Sequence, residues 1–405
     1  MKILFITIAY PKGAEAYLQE LNKGIPLGIP SNTFQWAVIE GLYRNHANFE
    51  VISQPSLCCY PFHFKKLYSP EMDMVFDGKK IGTMLKTFRL STLSKIVCRF
   101  QLKKVVYEWA KTNRNDDRLV VLIYSTQSDT LKAVTSIKKY FPNLIICPIV
   151  TDLVDELLNP IYNRSLCFRI KSKVEINAVK SLYPLLDKYI LLSKSMEEKI
   201  PESVDKNLVV EGIALNARLH FRPKKKSEIK SLLYTGSLSA HTSVIDLVDA
   251  FLLTEDDNFR LIICGTGSGQ EYVEHAAKRD KRIIYKGFVS REEAVRLQEE
   301  ATAVINPRKP TISLTKYSFP SKTIEYLSSG TPMIGYRLQG IPEEYYSYFY
   351  TIEGLSNKEL AQTIADVLGK SQDELNEKAE SALAFIANNK TALIQIKKVL
   401  NFLSI

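Results

Sequence analysis

The chain has 405 residues, 45% of them hydrophobic and 24% charged, with 17 Gly and 17 Pro spread along its length, which excludes disordered, collagen-like and low-complexity chains and gives two or three folding units at about 150 residues per domain. Six Cys, two of them adjacent (Cys58, Cys59), lack the density and spacing of a disulfide framework and fit a reducing compartment. A balance of 54 Lys and Arg against 44 Asp and Glu leaves a charge of +10, which favours anionic ligands or surfaces.

Residues 2–7 form a β-branched apolar run stopped by Pro11 and Gly13, read as a first buried strand rather than a secretory leader. A helical pattern at 33–43 and a strand at 49–53 follow. Between Lys79 and Arg118, eleven basic residues face three acids, a local charge of +8. The helix expected at 94–111 interleaves Lys95, Arg99, Lys103 and Lys104 with apolar residues. Two readings stay open for it: peripheral contact with an anionic membrane, or an ordinary solvated basic face. No zinc-finger, helix-turn-helix or ribonucleoprotein pattern accompanies it, so no nucleic-acid partner is expected. No apolar run reaches the length needed to cross a bilayer.

Strands at 119–124, 144–151 and 188–192 alternate with helices at 129–140 and 173–183. A basic, non-periodic stretch at 216–227 reads as a linker, after which the alternation resumes. Strands are expected at 231–236, 259–264, 283–285, 303–306 and 332–336, and helices at 243–251, 269–279, 291–301 and 321–329. Three further helices, at 357–368, 372–389 and 391–403, close the chain. Strands separated by helices imply parallel sheets with right-handed crossovers. The fold class is therefore α/β with two Rossmann-like domains, 1–215 and 228–370, and C-terminal helices at 371–405 expected to return to the first domain. Paired open sheets of this kind invite a central cleft at their carboxyl strand ends.

The glycine-rich turn Gly265-Thr266-Gly267-Ser268-Gly269 lies between a strand and a helix. It either presents backbone amides to a phosphate or is a tight turn that needs glycine for geometry alone. It fails as a dinucleotide fingerprint, because Gln270 stands where a small residue is required and no acid follows at the ribose-binding distance. No phosphate-loop, zinc or acidic metal-diphosphate motif is present, so no metal and no cofactor are expected.

The densest signal is Asn306-Pro307-Arg308 followed by Lys316, Tyr317 and the run Phe319-Pro320-Ser321-Lys322 to Glu325-Tyr326. Pro320 breaks the chain, Ser321 can cap the next helix, and Lys322 and Glu325 share one helix face. Two cations suit a diphosphate and a carboxylate one turn later suits sugar hydroxyls, a set that fits a nucleotide-sugar. The alternative is a capped surface helix with a weak Lys-Glu pair. Asp152, just after the 144–151 strand, is a candidate for positioning an acceptor or for capping a helix.

Residues 232–344 resemble the nucleotide-sugar-binding domain of retaining GT-B glycosyltransferases, family 4-like and of the bacterial surface-polysaccharide type. The matching pieces are Tyr234-Thr235-Gly236-Ser237-Leu238, Cys264 to Gly267, Tyr285-Lys286-Gly287-Phe288-Val289, the Phe319 to Tyr326 segment, and Gly340-Ile341-Pro342-Glu343. The resemblance implies GT-B architecture and sugar transfer from a UDP- or GDP-linked donor, the co-substrate, to a lipid-linked or saccharide acceptor in cell-envelope polysaccharide synthesis. The setting it implies is cytoplasmic, peripheral on the inner face of the cytoplasmic membrane. It places Glu325 on the donor ribose, Arg308 and Lys322 on the diphosphate with Lys316 in support, Gly236 and Ser237 close by, and Phe288 and Val289 around the base. The chain departs from the family where a basic pair would fall near Ser237 and Thr242, and at Tyr317, where relatives carry an acid. A catalytically silent binding subunit or a nucleotide-sugar epimerase of the same architecture is the alternative.

Overall fold

The computed structural model describes every residue of the chain except 26, 125, 158–165, 216–220, 226 and 313. It divides into two compact units, Met1–Val210 with Ala392–Ile405, and Glu211–Thr391.

The first unit holds an eight-stranded sheet: β1 (Lys2–Thr7), β2 (Phe49–Ser53), β3 (Met72–Phe76), β4 (Lys79–Met84), β5 (Leu119–Ile123), β6 (Ile145–Val150), β7 (Tyr189–Leu191) and β8 (Asn207–Val209). Their spatial order is β3-β4-β2-β1-β5-β6-β7-β8. All pairs are parallel except β3 with β4. Register is set in the middle, where Ile3 lies opposite both Phe49 and Val120. Every residue of β5, Leu-Val-Val-Leu-Ile, is buried, as expected of a strand covered on both faces. The antiparallel β3 and β4 were not predicted, although Asp77-Gly78 between them, both at positive φ, is the turn chemistry of a tight hairpin. Lys79 and Lys80 thus belong to a strand, with Lys80 paired to Asp73, and the helix expected at 94–111 spans Ser91–Thr112.

The second unit holds six strands, all parallel: β9 (Lys230–Thr235), β10 (Phe259–Cys264), β11 (Ile283–Gly287), β12 (Ala303–Asn306), β13 (Met333–Tyr336) and β14 (Tyr350–Ile352). Their order is β11-β10-β9-β12-β13-β14. Parallel strands joined through helices generate this pattern by right-handed crossovers. Of the expected linker at 216–227, residues 216–220 and 226 lie outside the described residues. Its Lys224 belongs to the second unit, exchanging backbone hydrogen bonds with the Asn376 side chain.

The C-terminal helices part company. Asn357–Leu368 and Gln372–Asn389 each begin with a capping box, Ser356 with Glu359 and Ser371 with Glu374, in which side chains satisfy otherwise unpaired helix amides. Gln372–Asn389 belongs to the second unit rather than returning to the first, because Phe385 stacks on Tyr348 at 4.2 Å and meets Tyr345 edge-on at 5.1 Å. Only Ala392–Ser404 joins the first unit, against the helix Ile29–Arg44, where Gly41 leaves room for Ile396. Where the chain leaves the second unit, Lys390, 4% exposed, is ion-paired with buried Glu211 and with Glu344, and Tyr345 Oη donates to Glu211 at 2.7 Å.

Candidate active site

The site begins with the helix Ser321–Leu327. Thr323, Ile324, Tyr326 and Leu327 are buried, so the i, i+3 spacing of Lys322 and Glu325 brings both to the outer face. Phe319, 6% exposed, anchors the entry to this helix by packing on Tyr345. One turn after Lys322, buried Tyr326 accepts at Oη from the Thr235 amide at 3.1 Å, which ties the helix to the end of β9. Ser321 does not cap: the N-cap position is Pro320, without a side-chain cap bond, and Ser321 is the first helical residue.

Lys322 passes over Gly236 at the end of β9. A Cβ on Gly236 would stand 2.5 Å from Lys322 Cε and 3.0 Å from Tyr234 Oη, closer than real contacts allow. Gly236 also has φ +158. Here glycine is needed for close approach. Lys322 Nζ lies 5.2 Å from the centre of the Tyr326 ring. The Lys322–Glu325 pair of the alternative reading is not formed: Glu325 Oε1 instead accepts from Gln298 Nε2 at 2.6 Å. Gln298, 1% exposed, also donates to Thr235 Oγ1 at 3.0 Å. Nothing in the sequence marks it, since Arg291–Glu300 reads as a charged surface helix.

Arg308 follows β12 and converges on the same place. Arg308 and Lys322 both act electrostatically on the Tyr234 hydroxyl, favouring its ionised form, although burial wins and pushes that hydroxyl up. Burial holds the half-buried Arg308 guanidinium below its ordinary range, with only Tyr234 opposing. Among the described residues neither the Arg308 nor the Lys322 side chain forms a hydrogen bond or an ion pair. Two cations thus act on one hydroxyl with no carboxylate paired to either among the described residues, an arrangement that costs free energy unless a ligand supplies an anion. The neighbouring Lys309 differs, being paired with Asp246 at 2.6 Å.

The glycine-rich turn lies against this strand end. A Cβ on Gly265 (φ +134) would strike Gly236 O at 1.7 Å. The amides of Gly265 and Gly269 are already donated, to Gly287 O at 2.7 Å and Leu238 O at 2.7 Å. Close backbone approach therefore accounts for the glycine at 265 and spends two of the amides that a phosphate would need. Ser237, Thr266 and Gly267 are exposed beside it. Phe288, after β11, is 71% exposed, and Val289 is half-buried. Lys316 and Tyr317 are half-buried on the short helix Leu314–Tyr317, Lys316 Nζ standing 5.4 Å from the Tyr317 ring centre. Asp152 is exposed just beyond β6 in the first unit. A groove of about 1100 Å³ in the second unit, lined in part by Tyr272, His275 and Arg279, takes in Ser268 of the glycine-rich turn but none of the predicted site residues.

With that geometry in place, residues 229–370 match the family model described as Glycosyl transferases group 1. Solved structures align over the whole chain: the lipopolysaccharide outer core galactosyltransferase WaaB (15% identity, TM-score 0.62, 99% of that chain), Anabaena Alr3699/HepE in complex with UDP (14%, 0.59, 100%) and a mutant of S. aureus TarM in complex with Fondaparinux, alpha-GlcNAc-glycerol and UDP (12%, 0.61, 100%). The chain has the GT-B fold of these glycosyltransferases. No curated protein sequence matches the chain. The family match begins one residue before β9 and ends after Asn357–Leu368, so Arg308, Lys322, Gln298 and Glu325 all lie within the part of the chain that matches the glycosyl transferases group 1 family.

Proposed function

We propose that the protein transfers a sugar from a UDP- or GDP-linked donor to a lipid-linked or saccharide acceptor, with retention of anomeric configuration and without a metal ion, in cell-envelope polysaccharide synthesis at the inner face of the cytoplasmic membrane. The observation that carries this reading is the convergence of unpaired Arg308 and Lys322 at Tyr234 and Gly236. As the bond between sugar and nucleotide breaks, the diphosphate gains negative charge, and preformed cations placed where that charge develops contribute several kcal/mol to the barrier reduction. Glu325, steered by Gln298, receives the donor ribose hydroxyls. Exposed Phe288 offers an aromatic face to the base, and Lys316 supports the diphosphate. Asp152 positions the acceptor. The solved structures of HepE and TarM each hold UDP, which favours UDP as the first donor to try.

The test is incubation of purified protein with UDP- and GDP-sugars and candidate acceptors, in chelator, following nucleoside diphosphate release and the anomeric configuration of the product by NMR. The reading expects acceptor-dependent release with retention. Tight nucleotide binding without turnover on any acceptor would indicate a silent binding subunit, and interconversion of two sugars without an acceptor an epimerase.

A further inference from the structure

The helix Ser91–Thr112 is apolar on two opposite sides. Ser94, Leu102, Val106 and Trp109 face the core. At 100° per residue, Leu93, Ile96, Val97 and Phe100 fall on the far side, where they are exposed, Phe100 by 61% and Ile96 by 53%. Five basic residues and one acid share this helix. The Arg99 guanidinium carbon lies 5.9 Å from the Phe100 ring centre, so its charge stands beside the apolar stripe.

A second helix repeats the arrangement. On Leu166–Lys180, Leu166, Ile170 and Val174 recur every fourth residue and are exposed, Leu166 by 72%. Four basic residues and one acid lie on it. The acid, Glu175, is occupied by the amide and hydroxyl of Ser128, each at 2.8 Å. The crossovers from β4 to β5, β5 to β6 and β6 to β7 all step the same way across parallel strands, so right-handedness puts their helices on one side of the sheet. Ser128–Thr135 packs against both of the others. Two outward apolar stripes, each amid basic residues, therefore share one side of the first unit. Solvent-facing apolar stripes on a charged helix are disfavoured unless something covers them.

We propose that this side of the first unit is a bilayer-insertion surface. The apolar stripes enter the boundary between headgroups and acyl chains, and Arg99, Lys103, Lys104, Arg169 and Lys171 pair with anionic headgroups. The positive balance of both helices selects an anionic leaflet over a neutral apolar partner. Among the described residues no helix is long and apolar enough to cross a membrane, so the contact is peripheral. This goes further than electrostatic docking, which needs no exposed apolar side chains, and it stands independently of the donor-site reading.

Flotation with vesicles of phosphatidylglycerol and phosphatidylcholine in equal parts tests it. The Ile96→Ser, Phe100→Ser, Ile170→Ser triple variant changes only exposed side chains and should bind about tenfold or more weakly than the parent. In a second variant, Phe100→Trp, the added indole joins Trp36 and Trp109, which are both buried, and its emission should shift to the blue and be quenched by brominated acyl chains. Calorimetric affinity for UDP should stay unchanged in both variants, keeping this outcome separate from the donor site. Equal vesicle binding by triple variant and parent, or a Phe100→Trp emission indifferent to brominated lipid, would overturn the proposal. A parent dimer in light scattering that the triple variant dissolves would assign the face to a second copy of the chain and overturn it equally.

Discussion

Arg308→Met separates a ligand-binding cation from a structural one, because the two roles predict opposite signs. The guanidinium is half-buried, held below its usual range by desolvation, and has no anion among the described residues. In the ligand-free protein its charge is a cost, which methionine removes while keeping a stem of similar length for packing. The melting temperature of the free protein should therefore hold or rise, about 2 °C for each kcal/mol recovered in a unit of this size. With UDP bound the sign reverses. A hydrogen bond from a charged donor contributes about 1.5 to 3 kcal/mol, so its loss should weaken binding roughly ten- to a hundredfold. Differential scanning fluorimetry reads the first quantity and titration calorimetry the second. A variant that melts several degrees lower yet binds UDP with the parent's affinity would show that Arg308 is a structural residue and refute the reasoning.

Other substitutions probe the supports of the site and of the fold. Gly236→Ala places a methyl 2.5 Å from Lys322 Cε; the flexible lysine should swing aside, leaving a folded protein with about tenfold weaker UDP binding by calorimetry. Gln298→Leu removes the donor to Glu325 and Thr235 and should cost about 1 to 2 kcal/mol of stability in urea titrations while raising the donor KM. Lys390→Met leaves Glu211, 5% exposed, as a buried charge and should destabilise by about 3 to 5 kcal/mol, with partial recovery on adding Glu211→Gln. Burial lowers the Lys224 amine to about 7, whereas an unfolded lysine holds its proton to about 10.4. Between those values the unfolded chain binds more protons, so the penalty is full below pH 7 and fades as pH rises; Lys224→Met should stabilise more at low pH than near pH 10 in thermal melts.

Most strands were legible because apolar runs such as Leu119–Ile123 are buried on both faces and carry a strong signal. The hairpin of β3 and β4 was missed, being an edge element that includes exposed Asp73 and Val75, although its Asp-Gly turn was there to read. Three-residue β8 and β14 are too short to leave a period. At the site, the bracketing of Arg308 and Lys322 was legible from strand ends and a helix-breaking proline. Gln298 was not, because inward orientation on a charged helix comes from packing against β9. Spacing alone allowed a Lys322–Glu325 pair as the alternative reading, and the competing Gln298 lies 27 residues before Glu325 in the chain. The helix at 91–112 showed its basic residues plainly, but periodicity could not tell that one apolar stripe faces the core and the other faces solvent.

The central claim is that two unpaired cations on the second unit hold the diphosphate leaving group. A crystal structure of the protein with a bound nucleoside diphosphate tests it directly. The account predicts the terminal phosphate within hydrogen-bonding distance of both the Arg308 guanidinium and the Lys322 amine, beside Gly236. A well-ordered nucleotide whose phosphates lie elsewhere, with both cations still unpaired, would contradict it.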